Sequence, residues 1–227
     1  MIRRSRHGAR VSAIVPVLND AGPLRCLIDD LREADVEIVV VDGGSHDDSM
    51  TVASSADHAV SAPPGRGTQM DQGVEVANAE WLWFVHADTR LPNDAVAALL
   101  DRLDTPGWGF FAVRLEGKSK VYRMIERTMT WRSAATGIAT GDQGIFVHRE
   151  LLAAVGGVPR QPLLEDVELC RRLRRLAKPR RVPDRVVASS RRWERDGIAR
   201  TIVLMWWLRF RYFMGADPEV LARQYYE

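Results

Sequence analysis

Trp81-Leu82-Trp83-Phe84-Val85-His86-Ala87-Asp88-Thr89 decides how this chain is read. It begins as an apolar run of strand length and ends abruptly in polar residues able to bind a metal. A near-continuous apolar run marks a strand covered on both faces, as in a parallel sheet. Such a strand has no structural use for a carboxylate at its tip, whereas a site holding a divalent cation against a diphosphate does. A second run, Glu37-Ile38-Val39-Val40-Val41, ends in Asp42. Much later, Leu163-Leu164-Glu165-Asp166 sets a carboxylate pair at a helix start.

Outward from these runs, strands and helices alternate. Val11–Val17 reads as a first strand, with Pro16 near its end. Turn residues Asn19 to Pro23 lead into a helix to about Glu33, with Leu24, Leu27, Ile28 and Leu31 on one face. Gly43-Gly44-Ser45 gives a tight turn, His58-Ala59-Val60 a short strand, and Pro63-Pro64-Gly65 a break. Helices are expected over Gly67–Asn78, Pro92–Leu103, Tyr122–Arg132, Arg149–Val155 and Asp166–Leu176. Further strands are expected at Phe110–Leu115 and Gly144–Val147, with a last extended segment around Val182 and Val186-Val187. This is an α/β pattern: a mostly parallel central sheet flanked by helices. Ligands of such sheets bind outside the carboxyl ends of the strands, where Asp42, His86 and Asp88 lie. Three acidic positions at element ends point to nucleotide-sugar chemistry. The chain divides into a basic arm (1–10), one main domain (11–194) and a helical extension (195–227).

At 227 residues the chain is long enough for one large α/β domain. Its net charge is only +2, but the charge is uneven. Arg3, Arg4, Arg6 and Arg10 cluster at the start, and a second basic zone runs from Arg171 to Arg200, so anions are expected to collect there. No recognition motif accompanies the charge, so nucleic acid is not the expected partner. Cys26 and Cys170 have neither disulfide-framework nor metal spacing and read as buried free thiols in a reducing compartment. No apolar stretch has the length of a leader or a membrane span, which points to the cytoplasm.

The motifs together resemble those of family-2 glycosyltransferases, which have the GT-A fold. Val15-Pro16-Val17-Leu18-Asn19-Asp20 is similar to the family's opening strand, and Val40-Val41-Asp42-Gly43-Gly44-Ser45 to its nucleotide-binding turn. Gly65-Arg66-Gly67-Thr68-Gln69 resembles the helix start that meets the donor. His86-Ala87-Asp88 stands at the family's Asp-x-Asp position, and Gly141-Asp142-Gln143-Gly144 in its acceptor-side region. Glu165-Asp166 matches its acidic pair. The resemblance covers residues 10 to 190 in the family's order. More narrowly, Gly-Asp-Gln-Gly with Arg191-Arg192-Trp193-Glu194-Arg195 resembles a bacterial subgroup named for arsenosugar biosynthesis or for association with radical-SAM proteins. Related members are named as carotenoid-acid glycosyltransferases.

The resemblance implies a donor site of Pro16, Asn19, Asp42, Arg66, Gln69, His86, Ala87, Asp88, Asp142, Gln143, Arg192 and Trp193. The implied donor is UDP- or GDP-linked; Gly43, where the family often has a second Asp, leaves the base open. Asp88 is the metal-ligand candidate, since a divalent cation neutralises the departing diphosphate. His86 replaces the family's first Asp: it contacts the ribose, a metal-bound water or the metal, or is a hydrogen-bonded non-ligand. An imidazole ligand favours Mn²⁺ over Mg²⁺. Asp166 is the candidate general base of an inverting transfer, with Glu165 orienting the acceptor or tuning its neighbour. Both carboxylates also suit a plain helix start. Arg66 and Gln69 lie one helical turn apart and can face one ligand. Arg192 is placed to clamp the diphosphate and Trp193 to stack on a ring. Ser189 stands where processive members carry Gln, against polymer synthesis. The acceptor is expected to be small or lipid-like, reacting through a hydroxyl or carboxylate.

Residues 198–213 mix Trp206, Trp207, Phe210 and Phe213 with Arg200, Arg209 and Arg211. Such a helix suits the inner face of a membrane, a homodimer interface or packing on its own domain. The rival reading is a degenerate transferase that acts as a membrane- or partner-binding scaffold.

Overall fold

The computed structural model describes residues 8–92 and 94–226. Of the basic arm, Arg3, Arg4 and Arg6 lie outside the described residues. Arg10 lies within them and donates to Leu103 O at 2.9 Å.

Among the described residues, β1 (Val11–Val17), β2 (Glu37–Asp42), β3 (His58–Ser61), β4 (Trp81–Phe84), β5 (Trp108–Leu115), β6 (Phe146–His148) and β7 (Arg180–Ala188) form one sheet. Their order is β3-β2-β1-β4-β6-β5-β7. Every pairing is parallel except those of β6, which runs against β4 and β5. The connecting helices are α1 (Ala21–Arg32), α2 (Ser49–Ala53), α3 (Arg66–Val76), α4 (Ala95–Leu100), α5 (Lys120–Thr136), α6 (Arg149–Ala154) and α7 (Glu165–Leu173). Three more, α8 (Arg191–Asp196), α9 (Ile198–Phe213) and α10 (Pro218–Tyr226), follow β7.

The alternation of side chains along each strand divides the core in two. Val11, Ala13, Val15 and Val17 of β1 pack with Leu24, Leu27 and Leu31 of α1, while Ile14 joins Met70 of α3 and Leu169 of α7 on the other face. Burial of each such aliphatic side chain stabilises by about 1.5–3 kcal/mol. Gly73 in α3 is needed for this layering: a Cβ there would sit 2.4 Å from Ile14 Cγ2. Glycine in a helix interior costs about 1 kcal/mol relative to alanine, which the close approach of α3 to β1 offsets.

The elements differ from expectation where tertiary partners set the boundary. β5 begins at Trp108 because Trp108 and Gly109 pair with β6, and at Gly109 a Cβ would fall 2.1 Å from Arg180 O. β6 starts only at Phe146, since Gly144 is left-handed (φ 54) and ends a 3-10 turn over Gly141–Gln143. β7 is a full edge strand although its sequence shows only scattered valines; its outward positions are polar, and Pro183 is tolerated at an edge. Of the two thiols, Cys170 is buried and burial pushes it up to about 12. Cys26 is only half-buried, contrary to expectation.

The helices after β7 pack on the domain. Leu208 of α9 and Leu221 of α10 meet Leu163, Leu164 and Val167, and Ile198 and Ile202 pack with Leu115, Tyr122 and Ile125. Glu168 of α7 ties this layer down, accepting from Tyr212 Oη at 2.6 Å, Arg171 Nε at 2.7 Å and Arg172 Nε at 2.8 Å. Burial would raise its carboxyl, but these donors outweigh burial and bring it from 4.5 down to about 2. The stabilisation is therefore complete above the unfolded value and lost as the pH falls toward the folded one. Its ceiling is about 3 kcal/mol, trimmed by solvent around the arginines. Urea unfolding should show wild type losing stability between pH 5 and pH 3 more steeply than Glu168→Gln, whose remaining slope comes from other carboxyls held low, Asp142 and Glu37 among them. An equal slope in the variant would remove Glu168 as the cause.

Among the described residues no helix is long and apolar enough to cross a membrane.

Candidate active site

The carboxyl ends of β1 and β4, the start of α3 and the start of α7 surround one cleft of about 580 Å³. α5, α8, α9 and α10 complete its walls. Pro16, Arg66, His86, Ala87, Asp88, Asp142, Asp166, Arg192 and Trp193 all line it.

The loops at the strand tips hold one another. Asn19 is left-handed (φ 53); its N–H donates to Ser45 Oγ and its Oδ1 accepts from His46 N, both at 2.8 Å. It joins the β1 and β2 loops without lining the cleft. Asp42 Oδ2 accepts from Gly44 N and Ser45 N, each at 2.9 Å, and so closes the turn. Its other oxygen is buried without a partner among the described residues, and Asp42 lies behind the cleft wall without lining it.

Two glutamines have structural roles where ligand contacts were expected. Gln69 Nε2 donates to Val17 O at 2.9 Å and Val41 O at 2.8 Å, bracing the ends of β1 and β2. Its carboxamide also fills the space a Cβ on Gly43 would need, at 3.1 Å, which accounts for glycine there. Gln143 is fully buried: Nε2 donates to Phe111 O, and Oε1 accepts from Ser133 Oγ and Thr140 N. It shapes the 3-10 turn and does not reach the cleft.

That turn is the centre of the site. His86 Nδ1 lies 3.2 Å from Asp142 Oδ1, and His86 Nε2 occupies the space a Cβ on Gly141 would need, at 2.2 Å. Burial disfavours the imidazolium, but the bond to Asp142 and the charge of Asp88 outweigh it and raise the histidine's pKa. Asp142 is pushed up by burial and pulled further down by His86, then Arg66 and Arg192. His86 is thus paired with Asp142 through Nδ1 and lines the cleft beside Asp88.

Asp166 is anchored on the same turn. Its Oδ2 accepts from Gly141 N and its Oδ1 from Val167 N, both at 2.7 Å. Leu164 enters α7 in the left-handed region (φ 60), a strained conformation for a residue with a side chain. It sets Asp166 at the wall of the cleft, while Glu165 is buried behind it. Glu165 Oε1 pairs with Arg66 Nε at 2.8 Å, and its Oε2 is buried without a partner among the described residues. Burial raises the Glu165 carboxyl, Arg66 opposes that, and Asp166 adds to it. Arg66 is held charged, burial being outweighed by Glu165 and then Asp166.

Sequence reasoning missed Arg191. Its guanidinium grips Asp20 at 2.9 and 2.7 Å and reaches Asp88 Oδ2 at 3.4 Å, strapping α8 to the tips of β1 and β4. Only its place beside the Arg192-Trp193 pair could have pointed to it. Arg192 lies over the Tyr225 ring at 4.0 Å, and burial lowers its pKa. Among the described residues no three His, Cys, Asp or Glu side chains are grouped to hold a metal. Asp88 is a half-open carboxylate at a strand tip. It fits a cation that takes its remaining ligands from a diphosphate and water, the usual arrangement for Mg²⁺, and not one caged by protein alone.

The glycosyl transferase family 2 profile matches residues 12–148, over half of the sequence. The chain belongs to that family. An uncharacterized glycosyltransferase of Mycobacterium tuberculosis is 30% identical over 162 residues, covering 65% of this family-2 chain and 62% of the relative. A PGL/p-HBAD biosynthesis glycosyltransferase of Mycobacterium bovis is 32% identical over 96 residues, 35% of this chain and 36% of that one. The chain thus spans about three-fifths of the longer-matched relative. Among solved structures, a mannosyltransferase from Pyrobaculum calidifontis in complex with GDP-Man and Mn²⁺ superposes with a TM-score of 0.61 at 22% identity. That match covers 78% of this chain and 56% of the other. Glucosyl-3-phosphoglycerate synthase of M. tuberculosis with Mg²⁺ and UDP gives 0.58 at 19% identity, covering 81% and 72%. These likenesses establish the GT-A fold of this family-2 member.

Proposed function

We propose that this family-2 chain transfers a sugar from a nucleoside-diphosphate donor to an acceptor oxygen, with inversion at the anomeric carbon. The observation that carries this reading is the single cleft lined by both Asp88 and Asp166. A carboxylate suited to a diphosphate-bound cation and a buried, anchored carboxylate suited to a base face one space. Mn²⁺ or Mg²⁺, when bound with the donor, supplies charge neutralisation for the departing diphosphate. Arg66 and Arg192 add fixed positive charge to the same wall. Asp166 receives the proton of an acceptor hydroxyl as it attacks, its two backbone hydrogen bonds holding the carboxylate in place. Both solved neighbours described above hold a nucleotide with Mn²⁺ or Mg²⁺, which supports the donor class. The arsenosugar or radical-SAM subgroup remains our narrower reading of the Gly-Asp-Gln-Gly and Arg-Arg-Trp motifs.

Calorimetric titration of UDP and GDP, with and without Mn²⁺, tests the donor site. Wild type should bind one nucleotide at least tenfold more tightly with metal, and Asp88→Ala should lose that increment. Binding of neither nucleotide would replace the transferase with the scaffold reading.

We also place the protein at the cytoplasmic membrane face, through the outer side of α9. Trp207 (54% exposed), Phe210 (57%) and Phe213 (55%) stand there beside Arg200 and Arg211, a pairing of aromatic and basic residues suited to anionic lipid. Wild type should co-sediment with anionic vesicles and Trp207→Ser/Phe210→Ser should not. A stable homodimer in place of vesicle binding would reassign the surface.

A further inference from the structure

α5 and α9 present the same stripe to the cleft. On α5 it is Met124, Ile125, Thr128, Met129 and Arg132; on α9 it is Thr201, Ile202, Met205, Trp206 and Arg209. Both follow the spacing of one helical face and both finish in arginine. The two helices run the same way. Ile198 and Ile202, early in α9, share a cluster with Tyr122 and Ile125, early in α5. Leu204, Leu208 and Tyr212, late in α9, share one with Ile138, just past α5. The arginines therefore lie toward one end of the furrow and Met124, 58% exposed, toward the other, while Trp206, 68% exposed, stands one turn before Arg209.

At the arginine end, Arg132 Nη2 and Arg209 Nε are each buried with no hydrogen-bond partner among the described residues. A buried donor left unpaired is destabilising, and more so on a charged group. Two such donors at the end of a methionine- and tryptophan-walled furrow are placed for a ligand. Arg132 also feels the charges of Asp166 and Asp142, so this end adjoins the reacting groups.

We infer that this half of the cleft binds an amphiphilic oxyanion, with an apolar chain between α5 and α9 and a carboxylate or phosphate on Arg132 and Arg209. The ligand's role as acceptor rests on the transferase reading; its binding does not. Flexible thioether side chains suit an apolar body of irregular shape. The guanidinium donors suit either oxyanion.

Equilibrium dialysis of decanoate, decyl phosphate and decanol against the full chain tests this. At least one anion should bind tenfold or more tightly than decanol, and comparing the two anions identifies the head group. Arg132→Met/Arg209→Met should bring that ratio close to one while UDP or GDP binding with Mn²⁺ persists. Decanol binding as tightly as both anions overturns the inference, as does binding of acetate or inorganic phosphate as tight as that of the amphiphiles. Loss of nucleotide binding in the arginine variants also overturns it, by assigning the pair to the donor. If the double variant does not fold, the wild-type ratios alone decide. Amphiphile discrimination without nucleotide binding in wild type would sink the transferase reading and leave this one standing.

Discussion

Asp166→Asn is expected to lower kcat by about 10²–10⁴ while leaving nucleotide binding with Mn²⁺ within a few-fold of wild type. The asparagine keeps one oxygen, enough for Gly141 N, which now donates to Asp166 Oδ2 at 2.7 Å, and gives up only the bond from Val167 N to Oδ1. It therefore preserves the turn on which His86 and Asp142 are seated. What it cannot do is take a proton from an attacking hydroxyl. Asp166→Ala would be the poorer test, because it frees Gly141 and disturbs the donor wall as well. The family match ends at residue 148, so the role of Asp166 stands on this geometry and on the resemblance of its motif. Release of nucleoside diphosphate from donor, with and without acceptor, is the measurement. Retention of more than a tenth of wild-type turnover would dismiss Asp166 as the base and turn attention to Asp142, another carboxylate that lines the cleft.

What could be read from sequence follows from what sequence encodes locally. The tips of β2 and β4 were legible because a strand buried on both faces is an unbroken apolar run, and its end is the first polar residue. Asp88 was found this way, Asp166 and Arg66 from helix starts and the resemblance of their motifs, and the three share the cleft. The backbone contacts of Gln69, which also lines the cleft, and of Gln143, which does not, were illegible because an amide's partners are decided by distant backbone. The carbonyls of Val17 and Val41 meet Gln69 only once β1 and β2 are side by side. β7 was nearly invisible because an edge strand has only one reason to be apolar at alternate positions, and the bulge opposite Phe111-Ala112 interrupts even that pattern. From sequence Arg132 was only the end of an expected helix and Arg209 one of the basic residues mixed into 198–213. Only the packing of α5 and α9 shows that one nitrogen of each, Arg132 Nη2 and Arg209 Nε, is buried without a hydrogen-bond partner among the described residues. Charge is legible from sequence, and the absence of a partner is not.

Arg66→Met should destabilise the fold by about 3 kcal/mol at neutral pH, the low end for breaking a buried ion pair because Arg66 keeps 35% of its side chain open to the cleft. The loss arises on the other side of the pair. Glu165 is 1% exposed, and its second oxygen already lacks a partner among the described residues. With Arg66 gone, burial acts on that carboxyl against much less positive charge, and Asp166 beside it pushes the same way. Its folded pKa then rises further above the unfolded value. A raised pKa gives stability that is complete below the unfolded value and lost as the pH climbs through the folded one. The variant's penalty should therefore shrink at pH 5 and grow toward pH 8. Arg66→Met/Glu165→Gln removes the stranded charge and should recover a large part of the stability, with its pH dependence in that range gone. Nucleotide affinity should stay low in both variants, because the positive charge at the start of α3 is absent from each. Urea unfolding at the two pH values, run on the two single variants, the pair and wild type, gives the coupling directly. A penalty below about 1 kcal/mol that does not change with pH would mean that water reaches Glu165 and already does what Arg66 is assigned to do.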